Sequence, residues 1–337
     1  MDAKDKKFIV ISPRSIALFT LIPLALYFLW SVRDILFSLL IAFIVMSSLR
    51  PGVDYLVSKK VPRGLSIGLV FSAFILFFLS LISIIIPPII YETSNLIRSL
   101  PLILEEVAPS LQSYIDISNL SSYIPNLTNN LFGLISGIFS NTLFVIATLF
   151  FSLYFLIEEN LADKFLHKYT SKERAEKISA TLSSAETRMA SWFWGELTLM
   201  TVVGVLTYLG LILIGVKYAL PLAVLAGLLE VVPNIGPVIS SIPAIIIGFS
   251  GSYFAGFSAL ALYIVVQQLE NNLIVPMIMK KAVGINPILT LLALLVGGRV
   301  GGVLGVLLAI PILLFTETIV QEYLHPRIAK RRENQTS

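Results

Sequence analysis

Residues 258–279 read SALALYIVVQQLENNLIVPMIM. Two runs almost free of polar atoms, SALALYIVV and LIVPMIM, enclose Gln267, Gln268, Glu270, Asn271 and Asn272. At about 1.5 Å per residue such a segment is long enough to cross a hydrocarbon core of ~30 Å as one helix. Four amides and a carboxylate then sit inside an apolar helix, where Glu alone costs about 2.5–3.5 kcal/mol at the bilayer centre. On a helical wheel the five polar groups cover an arc of about 200°. That arc is too wide for a helix surrounded by lipid. It leaves two readings open: an interhelical hydrogen-bond clamp, or a polar patch bordering a substrate or ion path. A clamp needs one or two polar residues. Five of them, followed by Pro276, favour a broken helix beside a cavity.

The whole chain agrees with a membrane-embedded helix. Of its 337 residues 56% are hydrophobic and only 13% are charged, about half the usual charged share of a soluble domain. Mean hydropathy is +0.89. Long apolar runs recur, and the strand alternation of an outer-membrane barrel is absent. The expected fold is an all-α polytopic membrane protein. With no cysteine, neither disulfides nor a thiolate metal site is possible. His167 and His325 both stand in polar flanks, so no metal or other cofactor is expected. The basic start followed by Ile16–Trp30 imitates a signal peptide. No small-residue cleavage site follows and a second apolar run opens at Ile35, so a retained first helix is expected.

Apolar segments fall at roughly 16–32, 35–49, 65–88, 131–157, 192–215, 218–232, 238–250, 253–279, 287–297 and 300–316. Counting broken or re-entrant hairpin segments separately, about eight transmembrane helices are expected. Arg33-Asp34 reads as a tight turn between the first two. The pairs 218–232/238–250 and 287–297/300–316 are short enough to be thin spans or re-entrant hairpins. Lys and Arg cluster in residues 1–15, 50–64, 158–191 and after Leu324, whereas 89–130 carries only Arg98. The excess of positive charge on one side predicts cytoplasmic termini and an extracytoplasmic 89–130 segment. The prolines and acids of 89–130 suggest amphipathic pieces near the membrane surface. Topology accounts for the net charge of +4, so no nucleic-acid partner is implied.

Five regions follow. Residues 1–64 form an N-terminal helical hairpin and cytoplasmic loop. Residues 65–157 carry long helices and the extracytoplasmic amphipathic segment. Residues 158–191 read as a polar cytoplasmic helical linker, either a solvated connector or a partner-binding element. Residues 192–324 form the transport core with broken or re-entrant hairpins, and 325–337 a basic cytoplasmic tail. The boundary at 191 rests on proline and glycine. Downstream of it Pro221, Pro233, Pro237, Pro243, Pro276, Pro287, Pro311 and the glycines of 297–302 lie inside apolar sequence. Each interior proline frees a backbone carbonyl, which survives at membrane depth only beside protein or a water-lined cavity. A weak repeat at an offset of 66 places Pro221 on Pro287 and Gly236 on Gly302. Paired interrupted segments of this kind point to a transporter binding site.

No catalytic arrangement emerges. The sequence has no Ser-His-Asp order, no HExxH and no P-loop, so neither an enzyme nor an ATP-driven pump is expected. The second polar cluster is EVVPNIGP, Glu230 to Pro237. Pro233, Gly236 and Pro237 make a turn there. Either this is a surface loop, or a hairpin tip inside the membrane that turns Glu230 and Asn234 toward substrate. Glu196, one turn past Trp192, reads as an interfacial residue. Arg299, between glycine pairs, is either a snorkelling loop residue or a counter-charge for Glu230 or Glu270.

Three stretches, LAGLLEVVPNIGPVISSIPA (225–244), QQLENNLIVPMIMKKAVGINPILTLLALLVGG (267–298) and GVLGVLLAIP (302–311), resemble the autoinducer-2 exporter (AI-2E) family of membrane transporters. LRPGVDYLVSKKVPRG near the N-terminus and IIPPII extend the likeness over nearly the whole chain. The matching positions are Glu230, Pro233, Gly236, Pro237, Gln267, Glu270, Asn271, Pro276 and Pro311. Arg299 stands where relatives often have a small or apolar residue. The resemblance implies a multi-pass inner-membrane exporter, driven by an ion gradient and assembled as a homo-oligomer such as a pentamer. Membrane lipid and a small polar solute, autoinducer-2-like, would be its partners. Some relatives look like sodium or lithium/proton antiporters, which gives the alternative: monovalent cation/proton exchange. Under either reading Glu270 is the expected coupling acid. Gln267, Gln268, Asn271 and Asn272 surround it, Glu230 and Asn234 approach from the hairpin tip, and Pro233, Gly236, Pro237, Pro276 and Pro311 mark turns or helix breaks. A membrane scaffold acting through 158–191 is the third possibility.

Overall fold

We describe residues 13–107, 142–158, 164, 166, 168–233, 235–279 and 286–333 of a computed structural model of the chain. Every element among them is helical, as an all-α polytopic membrane protein requires. Helix α1 covers Pro13–Ser31, α2 Arg33–Ser58, α3 Arg63–Val107, α4 Thr142–Ile157 and α5 Lys172–Ile214. Then come α6 (Ala219–Leu229), α7 (Ile235–Gly251) and α8 (Tyr253–Leu269). A π-helical turn, Glu270–Ile274, leads into α9 (Val275–Ile278), and α10 spans Pro287–Glu333.

The expected tight turn at Arg33-Asp34 is a kink instead. The Val32 N–H donates to the Phe28 carbonyl and the Leu36 N–H to the Val32 carbonyl, so the helical ladder passes straight through. The first reversal comes at Lys59–Pro62, where Lys60 takes a left-handed φ of 68°, and α3 folds back along α2. Arg63 there donates to the Leu156 carbonyl at 3.3 Å, closing the end of α4. Helix α3 runs on through Pro87 and Pro88. Residues 89–107 are thus the end of one 45-residue helix rather than separate amphipathic pieces. Residues 108–130 lie outside the described residues.

Among the described residues three helical stretches are long and apolar enough to cross a bilayer unbroken: Arg33–Ser58, Arg63–Asn95 and Lys172–Ile214. The apolar stretch Ile288–Gln321 is long enough too, but it doubles back. Gly302, at φ 57° and ψ −135°, is non-helical. Beyond it a Cβ on Gly305 would overlap the Gly297 carbonyl. Eight residues of straight helix would hold those glycines about 12 Å apart. Residues 287–301 and 303–333 therefore form a helical hairpin whose arms touch through glycine backbones, the close approach that small residues permit.

A second hairpin precedes it. Helix α6, 11 residues, reaches about 16 Å and cannot cross ~30 Å of hydrocarbon. Both stretches of the repeat thus fold as helical hairpins. The first arm of the second is four residues longer, and its turn falls at Gly302, the position that the repeat matches to Gly236 at the first tip. Helix α5 packs on α6 where Gly204 meets Gly227, leaving no room for a Cβ on Gly227 beneath the Met200 carbonyl. Helix α8 returns along α7 after Ser252, whose hydroxyl caps it by accepting from the Ala255 N–H at 3.0 Å.

The core has two parts. Val203, Leu211, Leu222, Ala226, Ala244, Ile247, Ala259 and Val266 bury α5 to α8 against one another. Val45, Leu49, Val53, Ile67, Phe71 and Leu156 join α2, α3 and α4. Ile44, Met189 and Leu308 bridge the halves.

Helix α5 also carries the linker into the span without a break. The C-terminal part of that linker is packed rather than a solvated connector: Ala175, Ala185 and Met189 are buried. Arg50 pairs with Glu186, and Arg188 reaches Glu317 at 3.3 Å and Thr318 Oγ1 at 3.0 Å.

Candidate functional site

Helix α5 buries Glu196, Leu199, Val203, Thr207 and Leu211, a stripe at helical spacing; Val203 and Leu211 pack into the core with α6, α7 and α8, and Leu199 against Ile274, Val275 and Met279. Its first member is an acid. Glu230 ends α6, where the chain turns: the Val232 N–H donates to the Leu229 carbonyl at 2.9 Å and the Gly236 N–H to the Val232 carbonyl at 2.8 Å. Gly236 is required at this tip, since any Cβ would overlap the Leu229 carbonyl. Pro237 is buried beside it. Asn234 lies outside the described residues.

Glu270 comes from the third side. It is the first residue of the π-helical turn, closed by the Val275 N–H donating back to the Glu270 carbonyl. Pro276 follows and has no N–H to return to the preceding turn, which loosens the ladder locally. Such π turns recur at functional sites. The helix is widened here rather than broken, contrary to the expectation for Pro276. Pro311 is likewise buried within an unbroken helical arm.

Glu196, Glu230 and Glu270 are 7%, 3% and 4% exposed. The Glu230 and Glu270 carboxyls lie within hydrogen-bonding reach of each other, and Glu196 is within electrostatic range of both. Each keeps one buried carboxyl oxygen without a partner among the described residues: Glu196 Oε1, Glu230 Oε2 and Glu270 Oε2. The charged groups acting on these acids are one another. Arg299 is exposed at the hairpin tip and does not serve as their counter-charge. Buried carboxyls this near to one another, with no basic group paired to them among the described residues, form a site suited to a shared proton or a cation. Farther along the same core the Tyr263 hydroxyl is buried beside that of Ser240.

The polar cluster 267–272 therefore divides. Glu270 points inward and Gln267 is half-buried, whereas Gln268, Asn271 and Asn272 are exposed on the outside of the chain. Asn272 Nδ2 donates to Gln268 Oε1 at 2.8 Å and to the Gln268 carbonyl at 2.9 Å. A 200° arc cannot face one cavity, and the core takes only its acidic edge. Glu196 was not expected here, because it follows the aromatic Trp192-Phe193-Trp194 run that reads as a membrane boundary. Instead Trp194 Nε1 donates to the Ser48 carbonyl of α2 at 3.1 Å, and the next turn delivers the acid to the core. Its place at the head of the buried stripe was the available signal.

Comparison with known proteins agrees with this architecture. The family model for AI-2E family transporters matches residues 16–325. YueF of Bacillus subtilis (strain 168) is 30% identical over 312 residues, covering 85% of this chain and 83% of its own. YrrI of the same organism is 25% identical, covering 89% and 91%. The AI-2 transport protein TqsA of Escherichia coli (strain K12) is 24% identical, covering 86% of each chain. A family match of that extent settles the class: the chain belongs to the AI-2E transporters and is a multi-pass membrane transporter.

Proposed function

We propose that the protein is a secondary exporter of a small polar solute, with Glu230 and Glu270 as its ion-coupling pair. The observation that carries this reading is the approach of the two carboxyls at the end of α6 and the π turn, buried and without a basic partner among the described residues. Loading and release of a proton between them would be felt by both the re-entrant hairpin and α8. Glu196 stands close enough to receive or bias that proton. The solute, in keeping with the name of the relative TqsA, is autoinducer-2-like: small, hydroxylated and uncharged enough to need hydrogen-bond partners rather than a counter-ion. Gln267, half-buried about one turn before Glu270, would supply such partners. Inner-membrane placement and assembly as a homo-oligomer complete the reading. The exposed amides Gln268, Asn271 and Asn272 suit contact with a second copy, since the one bond between the Asn272 and Gln268 side chains leaves most of their hydrogen-bonding capacity facing lipid.

The orphan carboxyl oxygens favour one second reading, exchange of sodium or lithium for protons. Proteoliposomes distinguish the two. Solute efflux that acidifies or alkalises the lumen in proportion supports coupled export. Proton movement driven by sodium alone, with no solute present, supports cation exchange. Solute flux in Glu270→Gln that still follows an imposed pH gradient would remove Glu270 from the coupling role under both.

A further inference from the structure

An apolar groove of about 440 Å³ runs between α3, α5 and α6. Its walls are Leu81 to Ile86 of α3 and the α5 face from Leu197 to Tyr208, and its floor includes Gly204, Ala223 and Gly227. Along α5 it extends 11 residues, about 16 Å, which matches the hydrocarbon depth of one leaflet, half of ~30 Å. At its end the lining changes character. A second cavity of about 410 Å³ shares Tyr208 and Leu220 with the groove and adds Glu92, Lys217 and Tyr218. Glu92 and Lys217 both line it, yet no ion pair joins them among the described residues. Gly215 and Tyr218, both at positive φ, shape the turn that presents Lys217. Tyr218 is held by a hydroxyl–hydroxyl bond of 3.1 Å to Ser99 of α3.

We propose that this composite site binds one phospholipid with a zwitterionic amine headgroup, of the phosphatidylethanolamine class. An acyl chain lies in the groove along α5, and the headgroup fills the polar cavity. Lys217 meets the phosphate as a point charge and Glu92 meets the ammonium. Tyr208 and Tyr218 stand at the boundary where amphipathic rings sit at headgroup level. A lone cation would serve any anionic lipid. The acid across the same cavity selects a headgroup bearing both signs. The small residues under the groove give the chain its depth without opening the core. The lipid would bind against α6, the first arm of the re-entrant hairpin, and so would hold a working element rather than merely coat the surface.

The test is lipid retention by the full-length protein in detergent, read by native mass spectrometry. Palmitoyl-oleoyl phosphatidylethanolamine and palmitoyl-oleoyl phosphatidylglycerol are added singly and in competition. Wild type is expected to keep phosphatidylethanolamine with a severalfold preference over phosphatidylglycerol. Glu92→Gln should abolish the preference while phosphatidylglycerol still binds, and Lys217→Gln should weaken both. Val205→Trp, at a half-exposed position facing the groove, should displace both without unfolding the core. An unchanged preference in Glu92→Gln overturns the proposal. So does retention by Val205→Trp equal to wild type, or a Val205→Trp variant whose only change is the mass of the oligomer, which would make the groove a subunit contact.

Discussion

Glu230 and Glu270, forty positions apart in sequence, bring their carboxyls within hydrogen-bonding reach in the buried core. One ends the short first arm of a helical hairpin and the other begins a π turn. Groups that share one proton act as a unit, so their removals should not add. Glu230→Gln and Glu270→Gln are each expected to cut gradient-coupled flux by about tenfold or more, and the double variant should be no worse than the weaker single one. The measurement is solute or cation flux in proteoliposomes under an imposed pH gradient. Multiplying losses in the double variant would show two independent acids.

The π turn sets the direction of Glu270, and Pro276 helps to keep it. Pro276→Ala restores an N–H that can close an ordinary α-helical turn. The expected outcome is a melting temperature equal to or above that of wild type together with reduced transport. Loss of both stability and transport would instead mark Pro276 as a packing residue.

The hairpin at Gly302 makes a stability prediction. A non-glycine residue at φ 57°, ψ −135° is strained by about 1–3 kcal/mol, and the Gly297–Gly305 contact has no space for a methyl group. Gly302→Ala and Gly305→Ala should each lower the midpoint of thermal unfolding in detergent, the latter through overpacking of about 1–3 kcal/mol. Gly64→Ala, where a Cβ meets nothing within 4 Å, is the control and should change little.

Much of this arrangement is legible in the sequence, and its physical origin explains where legibility stops. QQLENN announces itself because lipid cannot satisfy five polar groups, and EVVPNIGP because proline and glycine leave only a turn. Glycine pairs near 297–305 signal close backbones. What periodicity cannot supply is direction. Nothing in 267–272 tells which edge of a wide polar arc the core will take, and the π turn that decides it is a local change of pitch. Glu196 was hidden by its aromatic neighbours, although its spacing to Leu199, Val203 and Thr207 places it on the buried face. At Val32 the charged pair that follows marks a boundary equally well whether the backbone kinks or turns.

The half-buried pair Arg188–Glu317, with Thr318 as a second acceptor, ties the start of the α5 span to the second arm of α10. Arg50–Glu186 does the same for α2. Partly buried pairs resist screening better than exposed ones, and both clamps sit on the polar stretch that precedes the span. Arg188→Met is expected to cost about 1 kcal/mol, with a coupling to Glu317→Gln of several tenths in a double-mutant cycle. The transport consequence separates a clamp from a connector. If the second hairpin moves relative to α5 during transport, weakening the pair should alter the rate while leaving Glu270-dependent coupling intact. An unchanged rate at normal expression would assign the pair to stability alone.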